Sequence, residues 1–260
     1  MISIGIFNQK GGVAKTTSTA NLAVIFAEEF GLRVLAIDCD PQANLSFYLA
    51  GNPSGNDAFA DALERGSGFA DCLMATEFVK GRRTYRPSVS LIQSSDKVDY
   101  VQISDVKPFR DFLSSSAADF DLCLMDCGPQ KTSFNVLALS CCEQVLVPLT
   151  PMAVGANGLA MVSSFLDDIN ASGGNAKILG AFLTMYNSRS SLHKIMRETF
   201  SENLGSELLG SSISSSIAMQ ESFSLHCPIY YYQRSHKTCK EYVALAKEIL
   251  TRLGIDIKKK

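Results

Sequence analysis

The chain has no uninterrupted apolar stretch approaching the roughly 18 residues that cross a bilayer, so no transmembrane helix is expected. It has no basic region ahead of its first apolar run, Ile2–Phe7, which leads straight into a glycine loop. That run reads as a first strand rather than a signal peptide, and the expected location is cytoplasmic. None of the eight cysteines forms a CxxC pair. Scattered thiols of this kind are expected to be buried and reduced. Cys227, His236 and Cys239 lie within a metal-ligand span, but no fourth ligand accompanies them. A strong basic excess is absent too: the net charge of −2 argues against a chain that coats nucleic acid with its whole surface.

Apolar residues make up 46% of the 260, enough to bury a large core. Without a long linker or an internal repeat, residues 1–260 read as a single domain. Residues 51–87 look like an irregular insertion, with Asn52-Pro53-Ser54-Gly55, two short helical stretches and a solvated basic run, Lys80–Arg86. Residues 254–260 read as a flexible tail. From Arg189 onward there are eleven Lys/Arg against seven Asp/Glu. Either a basic face near the C-terminus or an ordinary solvated helix surface accounts for that balance.

Short apolar runs alternate with helical patterns. Strands are expected at Ile2–Phe7, Arg33–Asp38, Val89–Gln93, Leu122–Asp126, Gln144–Leu149 and Lys177–Thr184. Helices are expected at Thr16–Glu29, Val106–Ser115, Thr132–Cys142, Gly155–Asn170, Ser190–Phe200 and His236–Leu253. The Ser-rich pieces at 113–116 and 211–216 read as loops or helix ends. Such alternation, with continuously apolar strands, predicts an α/β fold: three layers, doubly wound around a mostly parallel sheet.

The first strand runs into Asn8-Gln9-Lys10-Gly11-Gly12-Val13-Ala14-Lys15-Thr16-Thr17 and then a helix. Small residues let backbone N–H groups approach phosphate oxygens, and the helix points its positive end at them. Gly11, Gly12, Val13, Ala14, Lys15, Thr16 and Thr17 therefore form a candidate phosphate cradle. Lys15 would reach the β- and γ-phosphates and Thr16 would coordinate Mg²⁺. Asp38 and Asp40 follow the second strand, and Asp126 ends an apolar strand in the Walker B manner. Asp126 can hold the metal shell, Asp38 can support it through water, and Asp40 can position an attacking water.

The loop departs from GxxxxGK[ST], because Gln9 and Ala14 occupy its glycine positions, and fits KGGxxK[ST] instead. At this point the chain resembles the deviant Walker A P-loop ATPases, the family of ParA, MinD and Soj. Asp38-Cys39-Asp40-Pro41-Gln42-Ala43-Asn44 resembles the ParA branch, as do Val147–Pro151 and Gly155–Leu159. The resemblance implies that Lys10 reaches across an ATP-dependent homodimer to the partner's nucleotide, and that Asp40 activates water. It departs at Ala14, usually glycine, and at Gly128, where relatives read DxPP.

Leu183–Arg189 resembles the family's segment beside the adenine, which makes Asn187 a candidate base contact. Arg189 matches a family arginine that binds DNA non-specifically, whereas Ser215 and Ala218 stand where relatives have arginines. Lys194, Arg197, Lys237, Lys240 and the terminal lysines are candidates to compensate. The expected function is a Soj-like ATPase for chromosome or plasmid partition or cargo positioning, using ATP and Mg²⁺ and stimulated by a ParB-like partner on the nucleoid. The alternative is a MinD-like membrane-associated ATPase, which would need an amphipathic stretch at Leu250–Lys258 that Gly254 and Asp256 interrupt. An iron–sulfur ATPase like the nitrogenase iron protein would need differently placed cysteines, and a ligase would need a substrate pocket that the sequence does not reveal.

Overall fold

A computed structural model describes residues 1–52, 54–103, 105–152 and 158–256. Its strands are β1 Ile2–Ile6, β2 Val34–Cys39, β3 Met74–Ala75, β4 Phe78–Lys80, β5 Arg83–Tyr85, β6 Val89–Ile92, β7 Leu122–Cys127, β8 Gln144–Leu149, β9 Lys177–Tyr186 and β10 Leu208–Ser214. The longer helices are α1 Lys15–Phe30, α2 Asn44–Ala50, α3 Ala58–Arg65, α4 Lys107–Ser115, α5 Ser133–Ser140 and α6 Gly158–Ala171. Four more follow: α7 Ser191–Leu204, α8 Ile217–Ser224, the single turn α9 Ile229–Tyr232, and α10 Lys237–Arg252.

Eight strands form one sheet in the order β10-β9-β8-β1-β7-β2-β6-β3, parallel except for β3, which runs antiparallel to β6. Side chains alternate between the two faces of a strand, and that period sorts the core. Val34 and Ala36 of β2 and Leu122 and Leu124 of β7 pack under α1, α2, α8 and α10. Leu35, Ile37 and Cys39, with Cys123, Met125 and Cys127, face α3, α4, α5 and α6. Three layers result, as the strand–helix alternation predicts. Continuing the same alternation puts Asp38 and Asp126 on the α1 face. They are register partners at the C-terminal ends of adjacent strands.

Gly5 lets the sheet and α5 approach closely: a Cβ there would lie 3.0 Å from Leu139 Cδ2 and 3.1 Å from Cys142 Sγ. All eight cysteines are unpaired and none is exposed. Burial, with the neighbouring Cys141 and Cys127 adding to it, pushes the Cys123 thiol up, which keeps it protonated and inert.

The expected strands and helices are all present, with ends shifted by a few residues. Residues 155–157 of the expected helix Gly155–Asn170 lie outside the described residues, as do 257–260 of the expected tail. Two differences carry a physical reason. Residues 211–216, expected as loop or helix end, mostly belong to edge strand β10, and only Ser216 stands at a helix end, before α8. Only Leu209 and Ile213 of that strand are buried, and Gly210-Ser211-Ser212 between them hide the alternation. Residues 51–87 hold more order than expected: α3, a short 3₁₀ turn at Phe69–Cys72, edge strand β3 and the hairpin β4–β5. Tyr85 stacks on Tyr231 at 4.4 Å and Lys80 donates to the Tyr231 carbonyl at 3.2 Å, so the hairpin is pinned by residues far along the chain.

Candidate functional site

The loop between β1 and α1 is held from both ends. Asn8 Nδ2 donates to the Pro148 carbonyl at 2.8 Å, while its Oδ1 accepts from the Lys10 amide at 2.9 Å. Thr184 Oγ1 donates toward the Val13 carbonyl at 3.1 Å, tying the loop's far side to β9. Gly12 lies at φ 69°, and Ala14, which precedes α1, at φ 64°, ψ 36°. No side chain caps α1, so its first N–H groups remain free to meet an anion. A Cβ at Gly11 or Gly12 would meet no protein atom within 4 Å. The space above these glycines is open to a ligand rather than filled by the fold.

A groove of about 350 Å³ runs along the loop, lined by Gly11, Gly12, Val13, Ala14, Lys15, Thr16, Thr17, Asp40, Gln42, Asn44, Pro129 and Phe223. Lys15 is buried and bends back, donating to the carbonyls of Asn8 and Lys10, each at 3.0 Å. Burial lowers its pKa, and the Asp126 and Asp40 charges oppose that shift. Asp38 is fully buried; Ser46 donates to it twice, at 2.8 Å from N and 2.7 Å from Oγ, and the Asp40 amide donates at 3.2 Å. Burial nevertheless pushes the Asp38 carboxyl up to about 7. Burial likewise holds Asp126 well above the usual carboxylate range, the Asp38 charge adding to the effect and the Thr16 hydroxyl opposing it. Asp126 Oδ1 accepts from Thr19 at 3.2 Å, but Oδ2 is buried without a partner. A buried orphaned carboxylate oxygen beside the Thr16 hydroxyl fits a hard divalent cation such as Mg²⁺.

Asp40, at 9% exposure, borders the groove and is steadied by the Gln42 amide at 3.1 Å. A Cβ at residue 128 would sit 3.2 Å from Asp40 Cγ, so Gly128 leaves the space that this carboxylate uses. Lys10 lies outside the groove, half-buried, with Nζ 3.8 Å from Met152 Sδ.

A second cavity, about 420 Å³ and mostly apolar, opens beside Ala14 and Thr17. Met185, Ile213, Met219, Gln220, Phe223 and Tyr242 line it, with Ser214, Ser215 and Ser216. It suits a flat heterocycle next to the phosphate groove. The candidate base contact Asn187 does not line this cavity. It is exposed, its Oδ1 accepts from the Arg189 amide at 3.0 Å, and it borders a separate cleft of about 430 Å³ with Arg189 and Lys237. Lys194 and Lys240 are exposed. Arg197 is committed to the fold, donating to Gly210 O at 2.6 Å and Ser212 Oγ at 3.2 Å. Ala218 packs into the core and Ser215 lines both cavities.

Sequence reasoning missed Ser46, Phe223, Met219 and Gln220. No local pattern marks them, since they come from α2 and α8 and meet the loop only through packing.

The fold and this site define a P-loop ATPase of the deviant Walker A, ParA/MinD type. The chain belongs to the AAA domain family, whose model matches residues 1–179. It is 28% identical over 259 residues to the chromosome partitioning protein ParA of Caulobacter vibrioides, covering 96% of this chain and 94% of that one. It is 28% identical over 249 residues to the chromosome-partitioning ATPase Soj of Treponema pallidum, covering 95% and 96%. The septum site-determining protein MinD of Pyrococcus horikoshii, solved with Mg-ADP, superposes with a TM-score of 0.78 at 24% identity, covering 97% of both chains.

Proposed function

We propose that the chain binds ATP with Mg²⁺, pairs with a second copy while ATP-loaded, and hydrolyses ATP slowly until a ParB-like partner accelerates it. In this reading it partitions a chromosome or plasmid, or positions another cargo, from the cytoplasm while associated with the nucleoid. The observation that carries the reading is the meeting of Lys15, Thr16, Asp38, Asp40 and Asp126 beneath one uncapped helix N-terminus. The chromosome-partitioning names of the Caulobacter and Treponema relatives support it.

Lys15 would exchange its two carbonyl acceptors for β- and γ-phosphate oxygens. Thr16 and Asp126 would hold the cation, with Asp38 bracing it through water; a bound Mg²⁺ supplies charge neutralisation across those phosphates. Asp40 would align the attacking water, which suffices because phosphoryl transfer depends mainly on alignment and charge stabilisation. Lys10, free of the groove in its own chain, is available to the nucleotide of a partner copy. Leu250 is buried and Leu253 and Ile255 pack on the same core, so the apolar side chains among the described residues of that stretch are already engaged by the fold.

The test is binding to random-sequence duplex DNA with ATP, with ADP and without nucleotide, across a salt series. Binding only with ATP that falls steeply with salt is the expected result. No binding at low salt by a demonstrated dimer would remove the DNA half of the reading. Lys15→Ala should abolish Mg·ATP binding; normal binding by that variant would overturn the site itself. Lys10→Ala should dimerise with ATP yet lose turnover, and full-rate hydrolysis would end the cross-dimer role.

A further inference from the structure

The loop that follows β7 comes to rest against Asp40, the carboxylate proposed to align the attacking water. Gly128 is buried, and its backbone approaches so closely that an added Cβ would lie 3.2 Å from Asp40 Cγ and 3.3 Å from Oδ1. Pro129, the next residue, lines the phosphate groove. Asp40 Oδ1 also accepts from the Gln42 amide at 3.1 Å. Where the loop stands therefore sets where the carboxylate can stand. Gly128 has no side chain of its own to hold that position, and its backbone is the freest of any residue.

The hold comes from α5. Asn135, in the first turn of that helix, is 1% exposed, and its Nδ2 donates to the Gly128 carbonyl at 2.9 Å and to the Gln130 carbonyl. One carboxamide thus ties both ends of Gly128-Pro129-Gln130 to a single point. The helix is a firm mount for it: Thr132 Oγ1 accepts the Asn135 amide at 3.1 Å, and Phe134 packs on Phe59 with ring centroids 5.5 Å apart. Asn135 Oδ1, by contrast, is buried without a partner. An unpaired buried acceptor is a cost to the fold, which points to the two donated bonds as the use of this residue.

We propose that Asn135 is a positioning residue for ATP hydrolysis: it pins the Gly128–Gln130 loop and, through Gly128, fixes the place of Asp40. Asn135 does not line the groove, so it acts on the rate and not on nucleotide affinity. The inference rests on the water-aligning role proposed for Asp40. With the loop released the carboxylate can shift, and a misplacement of about 1 Å in an aligning group costs up to about a hundredfold in rate.

The experiment measures single-turnover hydrolysis of saturating Mg·ATP by the full chain, beside the Kd for Mg·ATP and the thermal midpoint. Asn135→Asp keeps the shape of the side chain but puts an oxygen where the donating group was. It and Asn135→Ala should each slow hydrolysis at least about tenfold and leave the Kd within about twofold. Thr132→Ala removes the cap of the same helix and leaves the clamp. It should lower the midpoint by roughly 2–4 °C and keep the wild-type rate. Full-rate hydrolysis by either Asn135 variant, a parallel loss of Mg·ATP affinity, or equal slowing by Thr132→Ala would overturn the proposal. Asp40→Ala, measured alongside, keeps the two readings apart. A wild-type rate there removes the water-aligning role itself, whereas a slow Asp40→Ala beside a fast Asn135→Ala removes only the clamp.

Discussion

Ala14 sits at φ 64°, ψ 36°, a left-handed conformation in which an L side chain costs about 1–2 kcal/mol. The family resemblance leads one to expect glycine here, and the geometry supplies the reason. Ala14→Gly should relieve that strain but lose part of the gain to the greater freedom of the unfolded glycine. A net stabilisation of about 0.5 kcal/mol is expected, read as a higher urea midpoint; a lower midpoint would mean that the alanine methyl packs favourably. Asp126 is the opposite case, a residue the fold tolerates at a loss. Its orphaned Oδ2 and its raised carboxyl pKa mean that the fold holds this carboxyl group poorly solvated. Asp126→Asn should therefore raise the thermal stability of the nucleotide-free chain, by roughly 2 kcal/mol, while removing the added stabilisation from Mg·ATP. Thermal unfolding with and without Mg·ATP separates the two effects.

Among the elements, edge strand β10 pairs with β9 on one side only and is tied to α10 by side-chain bonds. Glu248 accepts from the amides of Gly210 at 2.7 Å and Ser211 at 2.9 Å. Burial works to raise the Glu248 carboxyl, but these bonds outweigh it and hold its pKa below the ordinary value. A depressed folded pKa makes the contribution present above the unfolded value and lost as pH falls through the folded one. Glu248→Gln should thus cost about 1 kcal/mol at neutral pH, discounted for the group's exposure, and close to nothing in acid. Chemical denaturation at the two pH values checks it. On the other face, Phe59 of α3 lies between Phe69, Phe109 and Phe134 at centroid distances of 6.2, 5.7 and 5.5 Å. Phe59→Ala should cost about 3–5 kcal/mol, because residues 51–87 are anchored there rather than laid loosely on the surface. A loss below about 1 kcal/mol would return that segment to the status of an irregular insertion.

At the scale of the whole molecule, the Ser214–Ser216 segment is a wall common to the cavity beside the phosphate groove and to the cleft bordered by Arg189 and Lys237. A ligand that shifts this wall from one side is felt on the other. Coupling of that kind is reciprocal, so under the function proposed above, whatever factor ATP adds to DNA affinity, duplex DNA should add to ATP affinity. Titrating a fluorescent ATP analogue with and without DNA measures it, and ATP affinity indifferent to DNA would dismiss the coupling. What the sequence determined by itself is everything carried by contiguous residues and by period: the glycine loop, Lys15 and Thr16 at a helix start, and two aspartates at strand ends. The alternation of side chains then placed Asp38 and Asp126 on one face, since strand geometry leaves no other arrangement. The tertiary structure alone decided the walls. Phe223 and Met219 reach the loop, Ala218 turns into the core, Asn187 stands apart from the apolar cavity, and Thr238 is buried without a partner. Those outcomes depend on how α10 packs against α1 and how Phe223 of α8 meets Tyr48 of α2, partners roughly two hundred residues away in the chain, and long-range packing leaves no local signature.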